Sequence, residues 1–204
     1  MKLYTVTGCI ASGKSTLANS LGSCLNCSVL EEDAAGNPWL DKYYKDMKKY
    51  AFKMQTWYLN RRISQLLQHK DNNIVVQDQM LAAFSYVFPS VQELHGNMSV
   101  HERAMISDIM NIFNKIDSES EKPIESEIIF YLRIPEKDVD RLVNRINFRN
   151  RNCESNITED YLSDLIAEYE RWYYRSPASD RKVIEIDALQ PTIEILKQAL
   201  EKIQ

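Results

Sequence analysis

The sequence predicts a three-layer α/β/α domain in which helices cover both faces of a five-stranded parallel sheet. Short segments rich in β-branched and aromatic residues alternate with longer helical segments, as in folds built from right-handed crossovers. Continuous apolar runs at Ile74–Val76 and Ile128–Leu132 suit strands that are covered on both faces. The 204 residues are enough for one substantial core and contain no internal repeat.

Strands and helices are expected in regular alternation along the chain. The predicted strands are Leu3–Thr7, Cys27–Leu30, Asn73–Gln77, Glu127–Arg133 and Lys182–Ile186. The predicted helices are Lys14–Leu21, Asp41–Gln68 with a break near Tyr50, Ser99–Lys115, Pro135–Arg145, Thr158–Tyr174 and Pro191–Lys202. The polar stretch Asp117–Ser126 is predicted to be a surface loop, so we expect residues 1–204 to form a single domain.

The composition and charge of the chain argue against several classes of function. A net charge of −4 argues against general nucleic-acid binding, because that binding needs a basic face. No apolar run is long enough to span a bilayer, and Met1 leads directly into the first predicted strand, which leaves no room for a signal peptide. The scattered cysteines fit a reducing compartment. We therefore expect a cytoplasmic protein with neither nucleic acid nor membrane as a partner.

A glycine-rich motif follows the first predicted strand and opens the first helix. Residues 8–16 read GCIASGKST and fit the P-loop pattern G-x-x-x-x-G-K-[ST]. Its glycines let consecutive N–H groups turn inward around phosphates, and the helix N-terminus adds its positive dipole end. We expect Lys14 to reach the β/γ-phosphates and Ser15 to hold Mg²⁺. The predicted nucleoside triphosphate site consists of Gly8, Ala11, Ser12, Gly13, Lys14, Ser15 and Thr16.

Carboxylates follow two of the predicted strands. In an open parallel sheet, ligands bind beyond the carboxyl ends of the strands. Asp78 follows the third strand, where it could hold Mg²⁺ through water or cap a helix. Glu31, Glu32 and Asp33 follow the second strand. They either form a solvated loop or supply the carboxylate that takes a proton from an acceptor hydroxyl.

One long helical segment carries polar residues on an apolar body. Lys49–Gln68 is apolar almost all round and is expected to be largely buried. Gln55 and Arg62 are seven residues apart and share one face, about 10 Å apart along the axis. The amide of Gln55 either reads a nucleobase edge, with an aromatic ring such as Phe52 near it, or bonds to backbone as a core glutamine.

A locally basic segment occurs late in this net-acidic chain. Arg141, Arg145, Arg149 and Arg151 fall within eleven residues, and the first three share one helical face. A closing arginine-rich lid would neutralise the charge of a transferred phosphoryl group. The alternative is a solvated face with ion pairs.

Together these features resemble the deoxynucleoside kinase family along most of the chain. The most specific element is residues 32–40, which read EDAAGNPWL. Bacterial members have a Glu five residues before Asn-Pro, a Tyr eleven before a Gln, and an Arg seven after that Gln. The corresponding residues here are Glu32, Tyr44, Gln55 and Arg62.

The resemblance implies an ATP- and Mg²⁺-dependent kinase that phosphorylates the 5′-hydroxyl of a deoxynucleoside and forms a homodimer through helices. It implies that Glu32 is the base for the 5′-hydroxyl and that Tyr44 contacts the 3′-hydroxyl and crowds the 2′ region. It also implies that Gln55 pairs with the base and that Arg62 tunes which base is accepted. The presence of Arg62 favours a purine.

The resemblance also places a lid at about residues 145–157. Its signature R-x-x-x-R-x-R is present as Arg145, Arg149 and Arg151, followed by Glu154. Arg141 takes the first place instead if the lid carries an insertion.

The chain departs from the family pattern at three positions. The family's Asp/Glu-Arg-Ser after the third strand is here Asp78-Gln79-Met80, so an arginine is missing. Phe84, in the expected substrate site, replaces an Asp that pairs with the arginine of the base-reading helix in several members. The usual lid glycine is Asn150.

Two alternative functions stay open at this stage. A nucleoside monophosphate kinase would need cations for the acceptor's phosphate, which Arg61 and the lid could supply. A catalytically weakened nucleotide-binding subunit would account for the missing arginine at position 79.

Overall fold

Five parallel strands form one sheet in the computed structural model, which describes residues 1–124, 126–150, 154, 157–175 and 181–203. The strand order is β2-β3-β1-β4-β5. The strands are β1 (Lys2–Gly8), β2 (Ser28–Leu30), β3 (Ile74–Asp78), β4 (Ser126–Arg133) and β5 (Arg181–Asp187). The predicted fold class is confirmed, and each predicted strand lies within one residue of the observed one at both ends.

Helices connect the strands. Within the described residues they are α1 (Lys14–Leu25), α2 (Leu40–Lys45), α3 (Met47–Gln68), α4 (Phe88–Leu94), α5 (Val100–Ser118), α6 (Val139–Arg149), α7 (Glu159–Arg175) and α8 (Thr192–Ile203). A π-helical turn (Ala83–Val87) precedes α4, and a 3₁₀ turn (Glu136–Asp138) precedes α6. No helix among these residues combines the length and the apolar character needed to cross a bilayer.

Several predicted helix bounds were wrong. The first helix ends at Leu25 instead of Leu21, and the segment predicted as Pro135–Arg145 is a 3₁₀ turn followed by α6, which ends at Arg149. The segment predicted as one helix with a break near Tyr50 is divided at Asp46 instead, because the Asp46 carboxylate caps α3 by accepting from the Lys49 N–H at 3.1 Å. The helical stretch 83–94 was not predicted, and it contains Pro89. That proline lies in the first turn of α4, where it breaks no intrahelical hydrogen bond.

Apolar cores lie on both sides of the sheet, because alternate residues of a strand face opposite ways. Tyr4 and Val6 of β1 pack in a core with residues of α1, α7 and α8. Leu3 of the same strand packs in a second core with residues of α3 and α5. Helices therefore cover both faces, as predicted.

The strand register brings the site residues to one edge of the sheet. Val6 of β1 lies opposite Asp78, and Leu30 of β2 lies opposite Gln77. The ends of β1, β2 and β3 therefore meet, and the chain leaves them as the glycine-rich loop, the acidic segment 31–33 and the turn at Gln79.

Candidate active site

The glycine-rich loop has the backbone that its sequence requires. Gly8 and Gly13 have φ values of 150° and 101°, and Ala11 has a φ of 61°. A Cβ on Gly8 would lie 2.6 Å from the Leu132 carbonyl oxygen, so a side chain cannot fit there. The Ser12 Oγ is buried with no hydrogen-bond partner among the described residues. A bound phosphate would supply the partner that this hydroxyl lacks.

Lys14 and Ser15 connect the loop to its surroundings. The Lys14 ammonium donates to the Cys9 carbonyl at 2.9 Å. The Ser15 hydroxyl donates to Asp78 Oδ2 at 2.5 Å. The loop and the end of β3 are thus joined by a serine–carboxylate pair.

The Ser15–Asp78 pair fits a magnesium ion. Asp78 is buried, and its Oδ1 atom has no hydrogen-bond partner among the described residues. Mg²⁺ typically uses one or two protein oxygens and completes its shell with water and substrate phosphates. An oxygen that lacks a partner, next to a phosphate-binding loop, provides such a ligand.

A cavity opens beside the loop and collects most of the predicted substrate residues. Its lining includes Glu32, Tyr44, Gln55, Phe84, Arg149 and Glu154 together with Lys14 and Ser15. Phe52 and Arg62 do not belong to the lining, although both are on α3. The structure therefore brings the expected acid, tyrosine, glutamine and lid arginine to one space and leaves three of the expected residues, Phe52, Arg62 and Asp78, outside its lining.

The inner part of the cavity is a flat aromatic slot. The Tyr58 and Phe84 rings stack with their centroids 5.4 Å apart and an interplanar angle of 11°. Phe88 stacks on Phe84 with the ring centroids 6.5 Å apart. Gln55 lines the same cavity; it is only 2% exposed, and its Oε1 atom has no hydrogen-bond partner among the described residues. An amide acceptor beside stacked rings suits a nucleobase that offers a hydrogen-bond donor.

A buried polar network supports the tyrosine wall. The Gln92 amide donates to the Tyr43 hydroxyl at 2.8 Å and to the Tyr161 hydroxyl at 3.0 Å. Burial raises the pKa of both tyrosines, so the hydroxyls stay neutral. Tyr44 packs edge-on against Tyr43 at 5.0 Å. The network therefore fixes the wall that carries Tyr44.

Sequence reasoning missed several lining residues. Tyr58 lies three residues after Gln55, and Phe88 lies four residues after Phe84, so helical spacing was a usable signal for both. Tyr161 on α7 had no local signal, because only packing against Tyr43 brings it to the cavity.

Gln79, where the resemblance expects arginine, lies buried in the cavity wall. Its Oε1 accepts from the Thr7 hydroxyl at 2.6 Å and from the Tyr169 hydroxyl at 3.1 Å. Its Nε2 donates to the Gly8 carbonyl at 3.5 Å. The backbone of Gln79 has a positive φ of 80°. The amide thus braces β1 and α7 and supplies no positive charge.

Arg62 is buried at the ends of β2 and β3. Its Nη1 donates to the Leu30 carbonyl at 2.7 Å, and its Nη2 donates to the Asp78 carbonyl. Burial lowers the pKa of Arg62 to about 10, while the nearby charges of Asp78 and Glu32 oppose that shift. The guanidinium remains charged at neutral pH and bonds to backbone.

Two of the arginines predicted to form a lid lie beside the glycine-rich loop. Arg145 donates to the Ala11 carbonyl at 3.3 Å and to the Ala188 carbonyl at 2.9 Å. Arg149 pairs with Glu154 at 2.6 Å. Both arginines line a recess formed by Ala11, Gly13, Lys14, Ser15 and Thr16. Arg151 lies outside the described residues, and Arg141 is not part of the recess.

Asn150, at the usual lid glycine, ends α6 in the left-handed conformation with a φ of 47°. Asparagine tolerates this conformation better than other residues with a side chain, so the replacement keeps the backbone turn.

Arg61 does not reach the cavity. It pairs with Asp33 at 3.4 Å and is absent from the described lining. The cation that the monophosphate kinase alternative would draw from this position is therefore engaged on the surface.

These features define a P-loop phosphotransferase fold with a cavity beside the glycine-rich loop. A family model described as deoxynucleoside kinase matches residues 4–203, and the chain belongs to this family. The resemblance stated from the motifs is confirmed, and the chain is a deoxynucleoside kinase.

Named relatives agree with this assignment. The chain is 26% identical to the deoxyadenosine kinase of Lactobacillus acidophilus, a match that covers 100% of the chain and 97% of the relative. It is 27% identical to the deoxyguanosine kinase of Bacillus subtilis, over 81% of the chain and 75% of the relative. Among solved structures, the deoxyadenosine kinase from M. mycoides with the products dCMP and dCDP bound superposes with a TM-score of 0.84, at 26% identity and 98% coverage of both chains.

Proposed function

We propose that this enzyme transfers the γ-phosphate of ATP to the 5′-hydroxyl of a purine deoxynucleoside, with deoxyadenosine as the preferred acceptor. The observation that carries nucleobase binding is the Gln55 Oε1 atom, buried without a described partner beside the Tyr58–Phe84 stack. The preference for adenine follows the relatives named deoxyadenosine kinase. Adenine offers an amino group to this acceptor and a ring nitrogen to the amide N–H, which is the pairing that glutamine makes with adenine elsewhere. Relatives named deoxyadenosine and deoxyguanosine kinase support a purine.

The chain's own residues divide the work of phosphoryl transfer. Lys14 and the loop N–H groups hold the triphosphate, and Glu32 orients the 5′-hydroxyl and takes its proton. Tyr44 contacts the 3′-hydroxyl and crowds the 2′ region, which favours deoxyribose. Arg145, Arg149 and Arg151 place positive charge around the transferred phosphoryl group.

Magnesium would be held by the Ser15 hydroxyl and Asp78, and it would neutralise charge on the triphosphate when bound. The Asp78 Oδ1 atom, which has no described partner, supports this assignment.

An acceptor screen tests the proposal. The protein is incubated with Mg²⁺-ATP and each of the four deoxynucleosides, their monophosphates and the matching ribonucleosides, and products are separated by chromatography. We expect deoxynucleoside monophosphates, with deoxyadenosine giving the highest kcat/KM. Lys14→Met serves as the inactive control.

The other outcomes separate the alternatives. Diphosphate formed from a monophosphate acceptor would indicate a nucleoside monophosphate kinase. Tight nucleoside binding without product, restored by a second protein, would indicate a weakened subunit. A pyrimidine as best acceptor would refute the proposed preference for a purine.

We also infer that the enzyme is a homodimer that pairs through α5. This helix exposes Met105, Ile112 and Ile116, which are 56%, 60% and 55% accessible. Their spacing places them along one side of the helix, and an apolar stripe of this kind is typical of an interface. Light scattering should give a dimer for the wild type and a monomer for Ile112→Glu. A monomeric wild type at micromolar concentration would contradict the inference.

A further inference from the structure

Arg62 connects the two strand ends that carry the predicted reactive carboxylates. Its guanidinium bonds to the carbonyl of Leu30, two residues before Glu32, and to the carbonyl of Asp78. These carbonyls belong to β2 and β3, which separate at this edge of the sheet. One planar donor group therefore fixes the distance between the two strand ends.

The placement of Arg62 does not suit base recognition. Its side chain is 2% exposed, and it is absent from the described lining of the cavity. Gln55, which is in that lining, lies two helical turns away, about 10 Å along the axis. Both Nη atoms of Arg62 are already engaged with backbone carbonyls.

Two sequence departures explain why Arg62 takes this position. An acid at position 84 would attract the Arg62 guanidinium towards the aromatic slot, but Phe84 is packed there between Tyr58 and Phe88. At position 79 the buried Gln79 amide bonds to Thr7 and Tyr169 and brings no charge to the strand ends. Arg62 supplies the charge there instead, close enough to Glu32 and Asp78 that both carboxylates raise its pKa.

We propose that Arg62 is a positioning residue, which holds Glu32 and Asp78 in their reactive places by bridging the ends of β2 and β3, and that it does not select the base. This inference rests on the proposed roles of Glu32 as base and Asp78 as magnesium ligand. A guanidinium is suited to this task because it donates to two carbonyls at once, whereas an ammonium cannot span them in one plane.

The test compares Arg62→Lys and Arg62→Met with the wild type. Arg61→Lys is the matched control, because the neighbouring Arg61 makes a surface pair with Asp33. For each protein, kcat and KM are measured with all four deoxynucleosides, and Kd for deoxyadenosine is measured by calorimetry. Thermal unfolding checks that each variant is folded.

Displacement of reacting groups by about 1 Å costs on the order of a hundredfold in rate. We therefore expect kcat of Arg62→Met to fall by about 100-fold with every acceptor. Arg62→Lys should lie between this variant and the wild type, because it keeps the charge and loses the bridge. The KM values, the Kd and the ranking of the four bases should not change.

Several outcomes overturn the inference. A changed ranking of the bases in either variant would show that Arg62 reads the base. An unchanged kcat, or a higher KM at constant kcat, would show that it does not position the reacting groups. If Arg62→Met does not fold, the Lys variant decides between these results. A wild type that phosphorylates no deoxynucleoside would instead refute the proposed function, and this inference with it.

Discussion

Replacing Gln55 by leucine should stabilise the free enzyme and weaken substrate binding. The Gln55 Oε1 atom is buried without a described hydrogen-bond partner, a situation that costs about 1–3 kcal/mol. Leucine has a similar size and no polar atom. We therefore expect the free energy of unfolding to rise by about 1–3 kcal/mol without nucleoside, and Tm by about 2–4 °C for each kcal/mol.

The same substitution removes the hydrogen bond that the Gln55 Oε1 atom would accept from the base. A lost hydrogen bond worth about 1–3 kcal/mol corresponds to about 5- to 150-fold weaker binding of deoxyadenosine. Urea unfolding without nucleoside and calorimetric titration with deoxyadenosine measure the two effects. Gln68→Leu, an exposed change at the end of α3, is the control and should alter neither quantity.

We expect Gln55→Leu to raise the free energy of unfolding and to lower the affinity for deoxyadenosine. A general packing defect would lower both. A less stable Gln55→Leu enzyme would show that the Oε1 atom has a partner in the free state. Unchanged affinity would show that the amide does not face the base.

Two further predictions concern the reaction and the packing of the fold. Glu32→Gln should keep the Kd for deoxyadenosine and lower kcat by about 10²–10⁴-fold, because the amide cannot accept the proton of the 5′-hydroxyl; unchanged turnover would exclude Glu32 as the base. Gly22→Ala should lower the free energy of unfolding by about 1–3 kcal/mol, because its Cβ would lie 2.2 Å from Val29 Cγ2, whereas Ser23→Ala on the exposed side of α1 should have little effect in the same urea titration.

The strands were predictable because their signals are local. Most contain a short β-branched run such as Ile74–Val76, and such a run fits the pleated surface wherever the helices pack. The turn and helix at 83–94 were not predictable in this way. Phe84 and Phe88 keep a helical spacing, but Pro89 directly after them argues against a helix, and the two rings meet by stacking in the aromatic slot.

The candidate site was predictable where a motif fixes a backbone shape or a spacing. The glycine-rich loop belongs to the first kind, and Glu32, Tyr44 and Gln55, which all line the cavity, belong to the second. The hydrogen bond between Gln92 and Tyr161 was not predictable, because α4 and α7 are far apart in sequence and meet only through packing.

Arg62 shows why residue spacing predicts a position better than a role. A buried guanidinium must find acceptors, and which acceptors it finds depends on its neighbours. Because Phe84 stands in place of an acid, no charge at that position attracts Arg62 to the aromatic slot. The guanidinium donates to the carbonyls of Leu30 and Asp78 instead. Because residues that share contacts are energetically coupled, these changes have to be interpreted together. An acid at position 84 should therefore be tolerated only with a second cation at the strand ends.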